Sequence, residues 1–234
     1  INLADATGTS DALTVNLVDT DSTTTVATVD FDAIETLTLA LANTAEGHNV
    51  ALENNLTAST VVVTGTHVDA DLILSSIEAG ITTVNASGLA GELTIAATAR
   101  GSDAMTITGG TGADTIEMEN AADVLTGGAG TSISDEVQVT FSGTGGSIVV
   151  DLSSTTDQIT LFNGVANSAA QTGFEDIDVS AYTQTGSDGA DITGSTGANV
   201  IVGTGYADTI RGGEGADTIT GGAGADNMTG GAGI

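Results

Sequence analysis

The chain has 234 residues and a formal net charge of −29 at pH 7, from 31 Asp and Glu against 2 Lys and Arg. Arg100 and Arg211 give no basic footprint for nucleic acid, an anionic membrane surface repels the chain, and no apolar run reaches the roughly 18 residues of a spanning helix. The absence of Cys excludes a disulfide framework, while 40% hydrophobic against 14% charged residues excludes a disordered chain. In chain order, residues 1–108 read as irregular β-solenoid coils. Short alternating, β-branched runs recur at 12–18, 35–42, 59–65, 72–75, 82–87 and 92–97, separated by Asn, Asp, Gly and Ser, which is a strand-and-turn pattern. Residues 109–135 open a nine-residue repeat: GGTGADTIE, the degenerate MENAADVLT, then GGAGTSISD, where Ser132 and Ser134 replace an acid and an apolar residue. Residues 136–185 return to strands near 137–141, 147–152, 158–162 and 175–181, with a loop near 163–173. Residues 186–234 carry the repeat in register from Gly194: GSTGANVIV, GTGYADTIR, GGEGADTIT, GGAGADNMT, GGAGI. Partial units precede the two blocks at Gly101 and Gly186. The chain opens at Ile1 and closes at Ile234 in mid-pattern, so it reads as an excerpt of a longer protein.

A fixed nine-residue period has a definite geometry. Six residues make a turn and three a short strand, with the apolar residue at position eight pointing inward because strand residues alternate. Two nonapeptides complete one coil, so turns n and n+2 stack on one edge about 4.8 Å apart. Their carbonyls and Asp carboxylates converge between them into an all-oxygen cage, which suits Ca²⁺ better than Mg²⁺.

The GGxGxDxUx units of 109–135 and 194–234 resemble the RTX, or hemolysin-type calcium-binding, repeats. The resemblance implies an all-β fold, a right-handed parallel β-solenoid or β-roll with calcium-binding turns, together with calcium-dependent folding and type I secretion to the cell surface. Blocks of repeats set between longer coils further resemble the RTX-containing surface-layer proteins of Gram-negative bacteria. The expected cofactor is Ca²⁺, several ions. In the second block the ligand candidates are Asn199, Asp208, Asp217 and Asp226, with turn residues Gly194, Thr196, Gly203, Gly205, Gly212, Gly213, Glu214, Gly215, Gly222 and Gly224, and Asp191 ahead of them. In the first block they are Gly109, Thr111 and Asp114 facing Gly128 and Gly130, with Asp103 and Asp123 on the opposite edge. Asp135, Glu136, Glu117 and Glu119 read as solvated surface.

No catalytic residue stands out. His48 and His67 do not form HExxH, no GxSxG elbow exists, and no Lys follows the Gly-rich turns as a phosphate loop requires. The expected function is that of a structural calcium-binding exoprotein, a segment of a surface layer. Its expected partners are further copies in a lattice, the continuation of a longer chain, and cell-surface polysaccharide, with no nucleic acid and no membrane insertion. The alternatives are the folding and secretion module of a larger exoenzyme or toxin, and an adhesin or ice-binding rod. The rod would need a regular outward TxT ladder, and the Thr pairs keep no constant period in the sequence.

Overall fold

The computed structural model describes residues 11–18, 26–29, 34–42, 47–52, 58–77, 79–96, 103–129, 134–143, 145–184, 186 and 188–233. Among them there are strands and turns but no helix. The chain forms two compact units, residues 1–116 with 128–133, and residues 117–127 with 134–234.

In the first unit the strands are β1 (Ala12–Leu17), β2 (Val26–Val29), β3 (Thr36–Leu41), β4 (His48–Leu52), β5 (Thr60–Gly65), β6 (Leu72–Ile77), β7 (Thr83–Leu89), β8 (Leu93–Ile95), β9 (Thr106–Thr108) and β10 (Thr115–Met118). They alternate between two parallel sheets, ordered β1-β3-β5-β7-β9 and β2-β4-β6-β8-β10. Each coil therefore lays one strand on each sheet. β2 and β4 lie where no strand was expected. Leu37, Val61 and Val84 stack in register, as do Leu39 and Val63, and all five are fully buried. On the second sheet Leu72 stacks on Leu93, and Leu74 on Ile95, again with no exposure. Burial on one face and polarity on the other follow from the two-residue strand period.

The outward face carries one threonine column but no regular TxT ladder. Thr36, Thr60, Thr83 and Thr106 form a continuous column across β3, β5, β7 and β9. The coil from Thr36 to Thr60 is longer by one position than the coil from Thr60 to Thr83, yet the column holds. A register shift between Val62 and Thr64 in the β5–β7 pairing takes up the difference, so no constant sequence period marks the column. The neighbouring column, Thr14, Thr38, Val62, Asn85 and Thr108, is interrupted by Val62 and Asn85.

In the second unit the strands are β11 (Val124–Thr126), β12 (Glu136–Val139), β13 (Phe141–Gly143), β14 (Ile148–Asp151), β15 (Ile159–Phe162), β16 (Val165–Ala166), β17 (Gln171–Thr172), β18 (Asp176–Asp178), β19 (Tyr182–Gln184), β20 (Asp188–Thr193), β21 (Val200–Val202), β22 (Ala207–Glu214), β23 (Thr218–Thr220) and β24 (Asn227–Ala232). Parallel pairing links β11 to β17, β12 through β18 and β21 to β23, β13 to β19, and β14 through β20 and β22 to β24. Ile192, Ile210 and Met228 stack at 18-residue intervals, as do Ile201 and Ile219. That is the two-nonapeptide coil.

Residues 163–173 are not a loop throughout, because they hold β16 and β17. β16 folds back antiparallel on β15 through the two-residue turn Asn163-Gly164, whose φ angles are 56° and 70°. Positive φ at both positions is the backbone of a tight hairpin turn, and Asn-Gly is the dipeptide that adopts it most readily. β15 in turn pairs antiparallel with the edge of β14 that β20 leaves free. The hairpin thus closes one end of the sheet β14-β20-β22-β24, an edge that would otherwise display unpaired backbone groups. Behind it Phe141, Phe162 and Tyr182 pack with ring centroids 5.3–6.0 Å apart. The Tyr182 hydroxyl donates to the Gly146 carbonyl at 2.8 Å and accepts from the Asn163 N–H at 2.9 Å.

The alternation is directly testable. Leu39→Ala should cost about 2–5 kcal/mol by removing a fully buried side chain, whereas Thr38→Ala on the outward face should stay within about 0.5 kcal/mol. Chemical denaturation of the two variants checks the difference.

Candidate calcium-binding turns

In the second roll the turns of the nonapeptides lie above one another at the same interval of two units. Gly213 packs on the Ser195 carbonyl, Gly215 on that of Gly197, Gly222 on that of Thr204 and Gly224 on that of Tyr206. Two glycines show why the repeat needs them. A Cβ on Gly212 would collide with Asp217 Oδ2 and with the Gly230 carbonyl, because the position-six side chain folds back over position one. Gly213 has φ +106°, in the left-handed region that an L side chain rarely enters.

The acids at position six tie adjacent coils together. Asp217 Oδ1 accepts the Asn199 N–H at 3.1 Å, and Asp226 Oδ1 accepts the Asp208 N–H at 3.1 Å. The other oxygen of Asp217, Oδ2, is buried and has no hydrogen-bond partner. Beside it lies a cavity of about 380 Å³ lined by Gly215, Asp217, Thr218, Gly231 and Gly233. Asp208 is buried and accepts three bonds, and Asn199 is buried with its amide bonded on both sides. Gly194 and Gly203 are buried in the stack, while Thr196, Gly205 and Glu214 are exposed at its rim.

In the first block Gly110 packs on the Leu89 carbonyl and Gly112 on that of Gly91, and the Ala129 N–H bonds the Gly110 carbonyl at 3.0 Å. This brings Gly128 within reach of the turn that starts at Gly109, as the repeat requires. Asp114 is fully buried; its Oδ1 accepts the Leu93 N–H at 2.7 Å and its Oδ2 the Gly110 N–H at 2.5 Å. Thr111 is exposed, with its N–H on the Leu89 carbonyl at 2.9 Å. Gly130 lies outside the described residues. Asp103 is exposed in the first unit. Asp123 is buried in the second, where its Oδ2 accepts the Asn120 N–H at 3.1 Å.

Two expectations need correction. Asp191 is not a turn residue: it stands on the outward face of β20 and pairs with Arg211 at 2.7 Å. The residue stacked on Asp208 in that coil is Ala190, one position earlier. The Asp191–Arg211 pair is half exposed, and pairs of that kind contribute little. Asp135 is not solvated either. It is 1% exposed, and its carbonyl accepts the N–H groups of Glu175 and Asp176 at 3.0 Å each. Next to it Glu136 stands in register with Asp176, and burial first, then Asp178 and Asp176, pushes its carboxyl above the ordinary range. The residues that the repeat pattern did not single out are Ser195, Thr204 and Tyr206; the only signal for them was a non-glycine at positions two and four of their units.

The donor set is oxygen throughout: backbone carbonyls and one carboxylate or amide per turn. Among the described residues no three Asp, Glu, His or Cys side chains gather into a metal cluster. A cation in these turns would therefore be held largely by carbonyls, which suits a hard ion of six to eight oxygen ligands such as Ca²⁺. The buried, unpartnered Asp217 Oδ2 fits such an ion, since an isolated buried carboxylate oxygen is strongly unfavourable.

The family model of the RTX calcium-binding nonapeptide repeat matches residues 106–133 and 202–234, in four copies. No curated protein and no solved structure matches the chain. The chain carries RTX calcium-binding repeats on an all-β framework of parallel sheets.

Asp114 supplies a pH prediction. Burial pushes its carboxyl from the ordinary 3.8 up to about 6, against the opposing Leu93 and Gly110 N–H groups. The folded state thus holds this proton more tightly than the unfolded chain. Without metal its contribution is fully favourable below about pH 4 and is lost as pH rises through about 6. In chelator the first unit should melt lower at pH 7 than at pH 5, and Asp114→Asn should remove most of that difference. Calorimetry of both chains across this range checks it.

Proposed function

We propose that the chain is a calcium-folded structural segment of an exported bacterial surface protein, of the surface-layer kind, with no catalysis of its own. The observation that carries this reading is the buried, unpartnered Asp217 Oδ2 within stacked RTX turns. At low cytosolic calcium a charge of −29 opposes compaction. Outside the cell, at roughly millimolar calcium, sites of extracellular grade fill, and the binding free energy becomes folding free energy. Export before the calcium turns have formed, completion of the fold at the surface and self-association into a lattice follow in that order. The support for a structural role rather than a secretion tail is that the repeats sit among longer coils built on the same parallel-sheet plan. A second reading, a surface adhesin, draws on the outward threonine column of the first unit.

Asp217→Ala should raise the calcium concentration needed to fold the second roll, read by circular dichroism during a calcium titration; an unchanged midpoint sinks the site. For the surface-layer role the measurement is electron microscopy of the protein in millimolar calcium and then in chelator. An ordered sheet that dissolves on chelation is expected, whereas separate particles in calcium would favour a folding and secretion module.

A further inference from the structure

The four complete nonapeptides of the second roll are not equivalent. The units starting at Gly212 and Gly221 have Gly at positions two and four, and all four of those glycines take positive φ: Gly213, Gly215, Gly222 and Gly224. The units starting at Gly194 and Gly203 have Ser195 and Thr204 at position two. Among the described residues the one non-glycine with positive φ is Asn163, so Ser195 and Thr204 keep ordinary backbone, as do Gly197 and Gly205. A β-branched Thr strongly resists the left-handed conformation. These two turns therefore differ in backbone from the two that follow them.

The hydroxyls explain the difference. Thr204 donates its Oγ–H to Asp208 Oδ1 at 2.7 Å and its N–H to Asp208 Oδ2 at 2.8 Å, and the Ala190 N–H reaches Oδ1 at 2.6 Å. Both oxygens of this buried carboxylate thus have protein donors. Ser195 treats Asn199 in the same way: its N–H and its Oγ–H reach Asn199 Oδ1 at 2.7 and 3.2 Å, and the amide Nδ2 donates to the Glu175 carbonyl. At position four of the Gly203 unit Tyr206 adds an outer clasp. Its hydroxyl donates to the Gln184 carbonyl at 2.5 Å and accepts the Gln184 N–H at 3.1 Å. Asp217 keeps only the bond between coils, its Oδ1 accepting the Asn199 N–H at 3.1 Å. Position two of its unit is Gly213, with no hydroxyl to give, and its Oδ2 is left buried and unpartnered.

We infer that the turns 194–199 and 203–208 are closed by their own hydroxyl groups and hold their shape without a cation, so that the calcium requirement of the second roll begins at Asp217. Ser195 and Thr204 supply the protons that a metal turn leaves out, and Asp208 is a structural acceptor rather than a ligand. The metal-independent half then presents a finished edge on which the calcium-dependent half is laid. This rests on the calcium reading proposed above.

The test is a calcium count and an exchange measurement on the whole chain. By equilibrium dialysis in excess calcium, Asp217→Asn should lose bound calcium while Asp208→Asn keeps the wild-type count. In chelator, the Ala190 and Thr204 amides should stay protected from hydrogen exchange while those of 212–217 exchange freely. Thr204→Gly, which removes the hydroxyl and admits positive φ, should make the protection around Asp208 depend on calcium. Equal loss of calcium from the Asp208→Asn and Asp217→Asn chains overturns the inference, and so does loss of Ala190 and Thr204 protection in chelator along with the rest. A wild-type chain that binds no calcium overturns the proposed function itself.

Discussion

A carboxylate oxygen out of reach of water must meet a donor or a cation, and the coil edges of this chain bury one in turn after turn. Where a backbone N–H or a hydroxyl arrives, as at Asp208, the edge closes on its own. At Asp217 Oδ2 no protein donor arrives, and a cation would fit there. The glycines, the stacked carbonyls and the two-unit interval all serve to bring that oxygen to the same place in successive coils. The core contributes less here than in the first unit: a three-residue strand such as β21 buries the single side chain of Ile201 completely, whereas β3 buries Leu37, Leu39 and Leu41. A coil with so little apolar surface to hide relies on its edges.

The nine-residue period alone places Ile210 beside Met228 and Ile201 beside Ile219, because a strict repeat fixes both the turn and the inward residue. It is not enough for Asp191 or Asp135. The unit at Gly186 is out of register, and only the backbone shows that Ala190 stacks on Asp208. Asp135 is buried where its carbonyl meets Glu175 and Asp176, far along the chain, a pairing that local pattern does not encode. β4 is hidden in the sequence because His48 and Asn49 break the apolar alternation, and the stretch 163–173 because the return strand of its hairpin is only Val165–Ala166. The role of Ser195 and Thr204 lies in plain view as a departure from Gly, but its meaning needs the carboxylate or amide they serve.

The aromatic residues show how an insertion is accommodated in such a framework. Val150 and Ile192 are neighbours in the sheet although far apart in sequence, and the hairpin β15–β16 occupies part of that excursion. The hairpin contributes Phe162 to the ring cluster and covers one side of β14, so the detour returns buried surface and a protected edge.

The varying coil length of the first unit has a consequence for how the chain can change. The steps from Thr36 to Thr60, from Thr60 to Thr83 and from Leu72 to Leu93 are all different in length, and the strands stay paired across these differences, with a register shift inside β5–β7 between Val62 and Thr64. A one-residue deletion in such a coil is a drift the coils have already sampled. The same deletion in a nonapeptide turn would move position six off position one of its own unit and shift every later strand by one position, turning inward side chains outward. Length variation should therefore accumulate in the first unit, while the roll should vary by whole nonapeptides or pairs of them.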